Sequence, residues 1–347
     1  MKKVAVIGHF AFGRESLDGQ TVKTKNVTDA LRRAVGEDNV LCFDTHGGVR
    51  ALLKSFVTVF KALRKSENVI IMPAHNGLKV FGRLLPLFRK LFKNRKIHYS
   101  VIGGWLPRVL ENKKGLARAL KKFDGIYVET GTMKRALEAQ GFENVCVMPN
   151  FKAIEPVAEC DLVYHKMPPY KLCTFSRVMK EKGIEAAINA IDEINLKNGK
   201  TVYTLDIYGP IDQNQTEWFE KIRSGFSENI KYCGCVPSED SVGVLKNYFA
   251  LLFPTEFYTE GIPGTIIDAY AAGVPVISSR WESFSDMVDD GVTGKGYEFG
   301  NAREFTEVLD GSANDPDSLN AMKRACLAKS SEFMPDCAIQ ILVERLS

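Results

Sequence analysis

The chain has 347 residues, 45 % hydrophobic and 25 % charged, with a formal net charge of +4. That composition excludes disordered, fibrous and collagen-like chains, and the length suggests about two globular domains. No apolar run reaches the ~20 residues needed to span a bilayer. The apolar run in the start, Met1 to Gly8, is too short for a signal peptide, so a cytoplasmic protein is expected.

In chain order, Lys3 to Gly8 reads as a buried strand ending in glycine. A polar loop to about Thr24 and a helix from Val27 to Val35 follow. Further strands are expected at Val40–Phe43, Val69–Met72, Ile97–Ile102, Gly125–Glu129 and Val145–Met148, with helical stretches between them. Strands alternating with helices imply a parallel sheet with crossover helices. The pattern weakens from Asn150 to Tyr170, where Pro156, Pro168 and Pro169 cluster, and then restarts. Strands follow at Lys171–Phe175, Thr201–Tyr208, Ile230–Tyr232, Ala250–Phe253 and Val274–Ser278, with a helix at Gly183–Ile194. The expected fold is therefore α/β, with two Rossmann-like parallel-sheet domains facing across a cleft. The first domain should cover residues 1–160 and the second 168–331, with a helix at about 332–347 packing back on the first.

The eight cysteines form no C-x-x-C, and Cys233-Gly-Cys235 is too tight for a usual zinc knuckle. They are expected to be reduced core residues. Charge is unevenly placed. Between Arg50 and Lys96 twelve Lys or Arg face a single acid, Glu67, a net +11, which leaves −7 for the rest. A basic first half suggests an anionic partner.

Ligands of open parallel sheets sit beyond the carboxyl ends of the strands. Three loops there carry candidate chemistry. In "EFYTEGIPGTIIDAYAAGVPVISS", Glu256 to Ser279, Glu260 stands on the lip of a glycine-bearing turn. Pro263 suits a first helical position and Gly273 the position past a helix end, giving a helix of roughly Pro263 to Ala272. Gly261 and Gly264 would let backbone approach a ligand, and the helix start would welcome a phosphate. Asp268, about a turn and a half in, would reach a second diol. A capped helix with a solvated Glu and Asp is the alternative. In "TFSRVMKEKGIEAAINA", Thr174 to Ala190, Arg177 and Lys182 precede a helix start and suit a diphosphate, or else are two solvated cations. After the first strand, "GHFAFG" lacks both the P-loop ending and a full G-x-G-x-x-G. Gly19, Gln20 and Thr21 could still offer donors at a helix start.

Together these segments resemble the retaining GT-B glycosyltransferases of family 4 (group 1), of polysaccharide-biosynthesis type. The signature E-x7-E stands here as "EGIPGTIIDAYAAGVPVI", Glu260 to Ile277. The family's strand-loop R…K-G resembles Arg177 and Lys182-Gly183. "LDIYGP", "YCGCVP" and "DDGVTG" resemble further family segments. The resemblance implies that Arg177 and Lys182 hold the donor diphosphate and that Glu260 bonds the donor sugar. Gly261, Ile262, Pro263 and Gly264 would approach sugar and phosphate, and Asp268 the ribose. Gly19 would approach the phosphate from the other domain, and Gly234, Cys235 and Val236 would edge the base.

Two departures stand out. The second carboxylate is Asp268, one methylene shorter than the family's glutamate. The family's histidine at the end of an N-domain strand is replaced by Gly103-Gly104-Trp105. His98 comes too early and is expected within the sheet. His75, in "MPAHNG", joins Gly103 and Gly104 as an acceptor-side candidate.

The implied reaction is retaining transfer of a sugar from a nucleotide-sugar to an acceptor hydroxyl, the acceptor a lipid-linked glycan of cell-surface polysaccharide assembly. No carboxylate pair is placed as acid and nucleophile. No D-x-D triplet sits in a loop where it could hold a metal on the diphosphate, so no metal or other cofactor is expected. "KVFGRLLPLFRKLFK", Lys79 to Lys93, and "RALLKSFVTVFKALRK", Arg50 to Lys65, interleave apolar and basic residues at helical spacing. They are either ordinary sheet-covering helices or a peripheral docking surface for anionic lipid. No nucleic-acid recognition motif is present. A nucleotide-sugar epimerase or phosphorylase, or a non-catalytic nucleotide-sugar sensor, are the competing readings.

Overall fold

The computed structural model describes residues 1–13, 19–45 and 54–346. Part of the loop after the first strand (residues 14–18), and Arg50 with the start of the basic stretch, lie outside the described residues. The chain divides into two units, Met1–Ala153 with Phe333–Ser347, and Ile154–Glu332.

The first unit holds six parallel strands, β1 (Lys2–Gly8), β2 (Val40–Asp44), β3 (Ser66–Met72), β4 (Lys96–Ser100), β5 (Gly125–Val128) and β6 (Val145–Val147). Their order is β2-β1-β3-β4-β5-β6. The chain steps from β1 outward to β2 and then crosses to β3 on the other side. The switch point, where ligands of such sheets bind, is thus between β1 and β3. Both faces are covered, which is why the strands read as continuous apolar runs. Ala5, Ile7, Val69, Ile71 and Ile97 pack with Val59, Leu63, Leu78 and Leu85 of the helices Ser55–Lys65 and His75–Arg89. Val4, Val6, Ile70 and Met72 pack on the other face with Val27 and Leu31 of the helix Gly19–Val35. Ala338, Ile339 and Leu342 of the helix Pro335–Val343 join that second cluster.

The second unit repeats the scheme with β7 (Tyr170–Phe175), β8 (Tyr203–Tyr208), β9 (Ile230–Gly234), β10 (Ala250–Phe253), β11 (Val276–Ser279) and β12 (Gly294–Tyr297). The order is β12-β11-β10-β7-β8-β9, all parallel, with the switch point between β7 and β10. Two Rossmann-like units in one chain make the GT-B fold.

Several expectations need correction. The first helix begins at Gly19, eight residues before Val27. Its first two turns bury Thr21, Lys23 and Thr24, so they lack the apolar period that marks a helix. The first unit ends at Ala153, short of residue 160. The proline-bearing segment after it packs on the second unit, with the Val157 amide donating to the Ala271 carbonyl at 2.9 Å. The helix expected from Pro263 begins at Gly264, and Pro263, in extended conformation, caps it. The strand β12 was not anticipated, because Gly294 and Gly296 break its apolar pattern. All eight cysteines are free thiols, but only Cys173 and Cys326 are core residues, while Cys160, Cys235 and Cys337 are exposed.

His98 sits within β4, fully buried, between Asn68 Oδ1 at 3.4 Å and the Tyr127 hydroxyl at 3.2 Å. Burial lowers its pKa to about 4. In the unfolded chain the imidazole titrates near 6.5. Between these values the unfolded state binds the extra proton, so stability is full above about pH 6.5 and lost as pH falls toward 4. Thermal melts from pH 7 to pH 4 should show an acid loss of about 3 kcal/mol from this group, and His98→Gln should flatten that slope.

Candidate functional site

At the second unit's switch point the loops leaving β7, β8 and β10 meet at backbone contact. Gly183 has φ +68°, and a Cβ there would lie 1.9 Å from the Pro254 carbonyl oxygen. Gly209 has φ +131°, and its Cβ would lie 1.9 Å from the Ser176 carbonyl oxygen. Only glycine meets both the dihedral and the space at these positions. The end of β9 is tied to the same cluster, since the Gly209 amide donates to the Gly234 carbonyl at 2.8 Å.

This packing brings Lys182, from the loop after β7, onto Glu260, from the loop after β10. Lys182 Nζ is ion-paired with Glu260 Oε1, and both side chains are largely buried. The Thr255 hydroxyl donates to the same oxygen at 3.2 Å and accepts the Phe257 amide at 3.1 Å. The Ser279 hydroxyl in turn donates to the Thr255 carbonyl at 2.7 Å. The Lys182 ammonium also lies 5.3 Å and 5.1 Å from the ring centroids of Phe253 and Phe257, within cation–π range. Arg177 shares the Lys182 loop and is 43 % exposed, with Nη1 3.6 Å from Asp212 Oδ2. A weak, half-solvated pair of this kind leaves the guanidinium able to engage an anion.

Beyond Glu260, Gly261 and Ile262 are buried and Pro263 turns the chain into the helix Gly264–Ala271. The Thr265 hydroxyl in its first turn is buried with no hydrogen-bond partner. Asp268 lies one turn further on, 3 % exposed. Gly234, with φ +75°, ends β9, and Cys235 beside it is exposed. Arg177, Lys182 and Glu260 therefore share one loop cluster, as their placement at strand ends implies.

In the first unit His75 opens its helix at the switch point. Its ring meets the Trp105 ring edge-on at 5.4 Å, and Lys113 Nζ donates to its Nε2 at 3.1 Å. Loss of solvent and the charges of Lys113 and Lys79 hold the imidazole below its usual pKa. Trp105 Nε1 donates to the Ile102 carbonyl at 2.8 Å. The Gly103 amide donates to Glu129 Oε1 at 3.1 Å. That carboxylate is ion-paired with Lys23, whose ammonium also donates to the Val101 carbonyl at 2.8 Å. Gly103 and His75 thus meet through Trp105, with Gly104 buried alongside. Gly19 opens the helix that carries Lys23.

Sequence reading missed Lys23, Glu129, Thr255, Asp212 and Lys113. Thr255 directly follows the proline that ends a predicted strand, a usable signal. Nothing in spacing marks a lysine in an apparent loop as the buried partner of Glu129.

Residues 169–315 match the family model of the glycosyl transferases group 1. The second unit is similar to that family over most of its length. The group 1 stretch contains the whole Lys182–Glu260 cluster. The chain is 24 % identical over 199 residues to an uncharacterized 41.2 kDa protein of the cps region of Klebsiella pneumoniae, which covers 57 % of this chain and 51 % of that protein. It is 26 % identical over 146 residues to the amylovoran biosynthesis glycosyltransferase AmsK of Erwinia amylovora, covering 41 % of this chain and 35 % of AmsK. These matches span about half or less of the relatives' own lengths. The fold is similar to that of Anabaena Alr3699/HepE in complex with UDP-glucose, with a TM-score of 0.75, 14 % identity and 99 % of both chains covered.

Two substitutions check this architecture. Gly183→Ala should cost about 2 kcal/mol or more, because strained dihedral and carbonyl clash coincide, and should lower the melting midpoint by roughly 5 °C. Lys23→Met should cost about 3–5 kcal/mol in urea unfolding by stranding Glu129. Adding Glu129→Gln should recover part of that loss.

Proposed function

We propose that this chain is a retaining glycosyltransferase that moves a sugar from a nucleotide-sugar to an acceptor hydroxyl, the acceptor a lipid-linked glycan of cell-surface polysaccharide assembly. The observation that carries the reading is the Lys182–Glu260 pair, with Arg177 beside it, at the switch point of a group 1 domain. The name of AmsK and the UDP-glucose in the HepE complex support the class of reaction and donor.

In this reading the donor diphosphate takes Arg177 and Lys182, and the Glu260 carboxylate accepts hydrogen bonds from donor-sugar hydroxyls. Gly261 to Gly264 bring the loop and helix start up to the phosphate. Asp268 serves the ribose, and Gly234, Cys235 and Val236 edge the base. Gly19 belongs to the first unit and serves the phosphate from that side, while His75, Gly103 and Gly104 serve the acceptor. As the bond from the anomeric carbon to the departing phosphate oxygen breaks, negative charge grows on the diphosphate. Fixed cations there lower the barrier without reorganisation. The leaving phosphate takes the acceptor's proton on the same face, and the acceptor oxygen bonds the anomeric carbon with retention. Arg177 and Lys182 supply the charge that a metal supplies elsewhere.

Incubation with a panel of nucleotide-sugars tests the reading. Transfer or slow hydrolysis of one donor, with the anomeric configuration kept, is expected. An isomerised donor would mean an epimerase, and binding without turnover a sensor. Arg177→Ala and Lys182→Ala should each cut turnover about 100-fold or more, whereas EDTA should leave it unchanged; near-normal turnover in Arg177→Ala would overturn the assignment.

We also infer that the basic first half docks on anionic lipid. No helix among the described residues is long and apolar enough to cross a membrane. Phe56, Val57 and Phe60 are exposed beside Lys61, Arg64 and Lys65, and Leu87 and Leu91 are exposed as well. Exposed apolar groups ringed by cations suit an interfacial surface. Sedimentation with anionic vesicles should exceed that with neutral ones and fall with salt. Equal sedimentation with both would exclude docking.

A further inference from the structure

The helix His75–Arg89 places His75, Lys79 and Arg83 four residues apart, so they form a ladder along one face. Lys113, just before the helix Lys114–Leu120, reaches across to the top of that ladder at His75. None of these three cations pairs with a carboxylate among the described residues. Lys113 bonds His75, Lys79 bonds the Asn76 side-chain oxygen at 3.1 Å, and Arg83 has no polar partner among the described residues. Elsewhere cations of this unit do find acids, as Arg89 does with Asp124 at 2.7 Å and Lys23 with Glu129. The ladder is therefore a local excess of positive charge around the His75 ring. Its cost is visible at Lys113, whose ammonium is held below its usual pKa by lost hydration and by the fields of Lys79 and Arg83. Like charges gathered without a counter-ion are relieved by an anion.

We propose that Lys79, Arg83 and Lys113 form an anion subsite of the acceptor site, taking a phosphate or carboxylate carried by the acceptor sugar, with Trp105 as the flanking face. The inference rests on the glycosyl-transfer reading for the word acceptor, and on this unit alone for the anion. Arg83 can grip an oxyanion with two parallel donors, and the lysines act as point charges. Trp105 is fixed by its bond to Ile102 and by the Gly103 turn, so its ring is a rigid apolar wall at the side of the subsite. A neutral glycan would leave the three charges as they stand, whereas an acidic one satisfies them.

The test follows the His75 ring signal by NMR, assigned with His75→Asn, while glucose 1-phosphate, glucuronate or methyl glucoside is added. The anionic probes should move the signal at concentrations at least ~10-fold lower than the neutral one, and the response should weaken with salt. Lys113→Gln and Arg83→Gln, both at solvent-facing positions, should each weaken anion binding about 10-fold. Arg177→Ala should leave the His75 response intact, which separates it from phosphate bound at the donor loops. A tighter response to the phosphate points to a phosphorylated acceptor, and to the uronate an acidic glycan. Equal response to charged and neutral probes, or no response at His75, would overturn the proposal. Turnover is not needed for this readout. An anion response without transfer from any donor would defeat the glycosyl-transfer reading and leave the subsite standing; transfer that is indifferent to acceptor charge would do the reverse.

Discussion

The second unit is organised around one ion pair. Lys182 and Glu260 come from loops far apart in sequence, and neither charge could be buried alone without a penalty of several kcal/mol. They meet because two glycines let three loops touch at their backbones, Gly183 against Pro254 and Gly209 against Ser176. Thr255 then holds the carboxylate from the other side. The arrangement keeps both groups largely buried and oriented. In the proposed reaction a donor offers each of them a new partner of matching character, a diphosphate for the ammonium and hydroxyls for the carboxylate. Binding then becomes an exchange of partners with little side-chain ordering left to do.

The first unit uses the same sheet logic with a different balance. Its own ion pair, Lys23 with Glu129, is wholly buried and lies under the Gly103 turn. There the charges are committed to structure. What faces outward is the turn they support, with Trp105 and His75 upon it. Lys79, Arg83 and Lys113 are among the cations that no carboxylate of the described residues pairs. In the proposed reading the second unit holds a matched pair where an exchange of partners is useful, and the first adds to its own buried pair a surplus of charge where an anion would be received.

Much of this was legible beforehand, for physical reasons. Doubly covered parallel strands are continuous apolar runs, and β1, β3 and β10 stand out as such. Strand ends followed by Arg177, Lys182 and Glu260 point to a candidate ligand site because of where α/β sheets bind ligands. The segments that escaped are those whose stabilisation is polar. The first two turns of the helix at Gly19 bury threonines and a lysine, and their helical period is invisible to any count of apolar residues. The strand at Gly294 is interrupted by glycines that β11 and Arg280 crowd. The pairing of Lys182 with Glu260 could not be foreseen either, since each alone reads as a surface charge at a loop and only the fold brings them within reach.

The return of the chain to its starting unit has a consequence for how the protein is made. Ala338, Ile339 and Leu342 complete a core whose other members, Val4, Val6, Val27 and Leu31, are translated some three hundred residues earlier. The second unit is one uninterrupted insertion between them. On the ribosome it emerges whole while the first sheet still lacks the helix that seals one face, so the unit begun first is the last to be finished. Until then the apolar side of Val27 and Leu31 stays uncovered, and closing it spans the longest sequence separation in the molecule, the kind of contact that slows folding most.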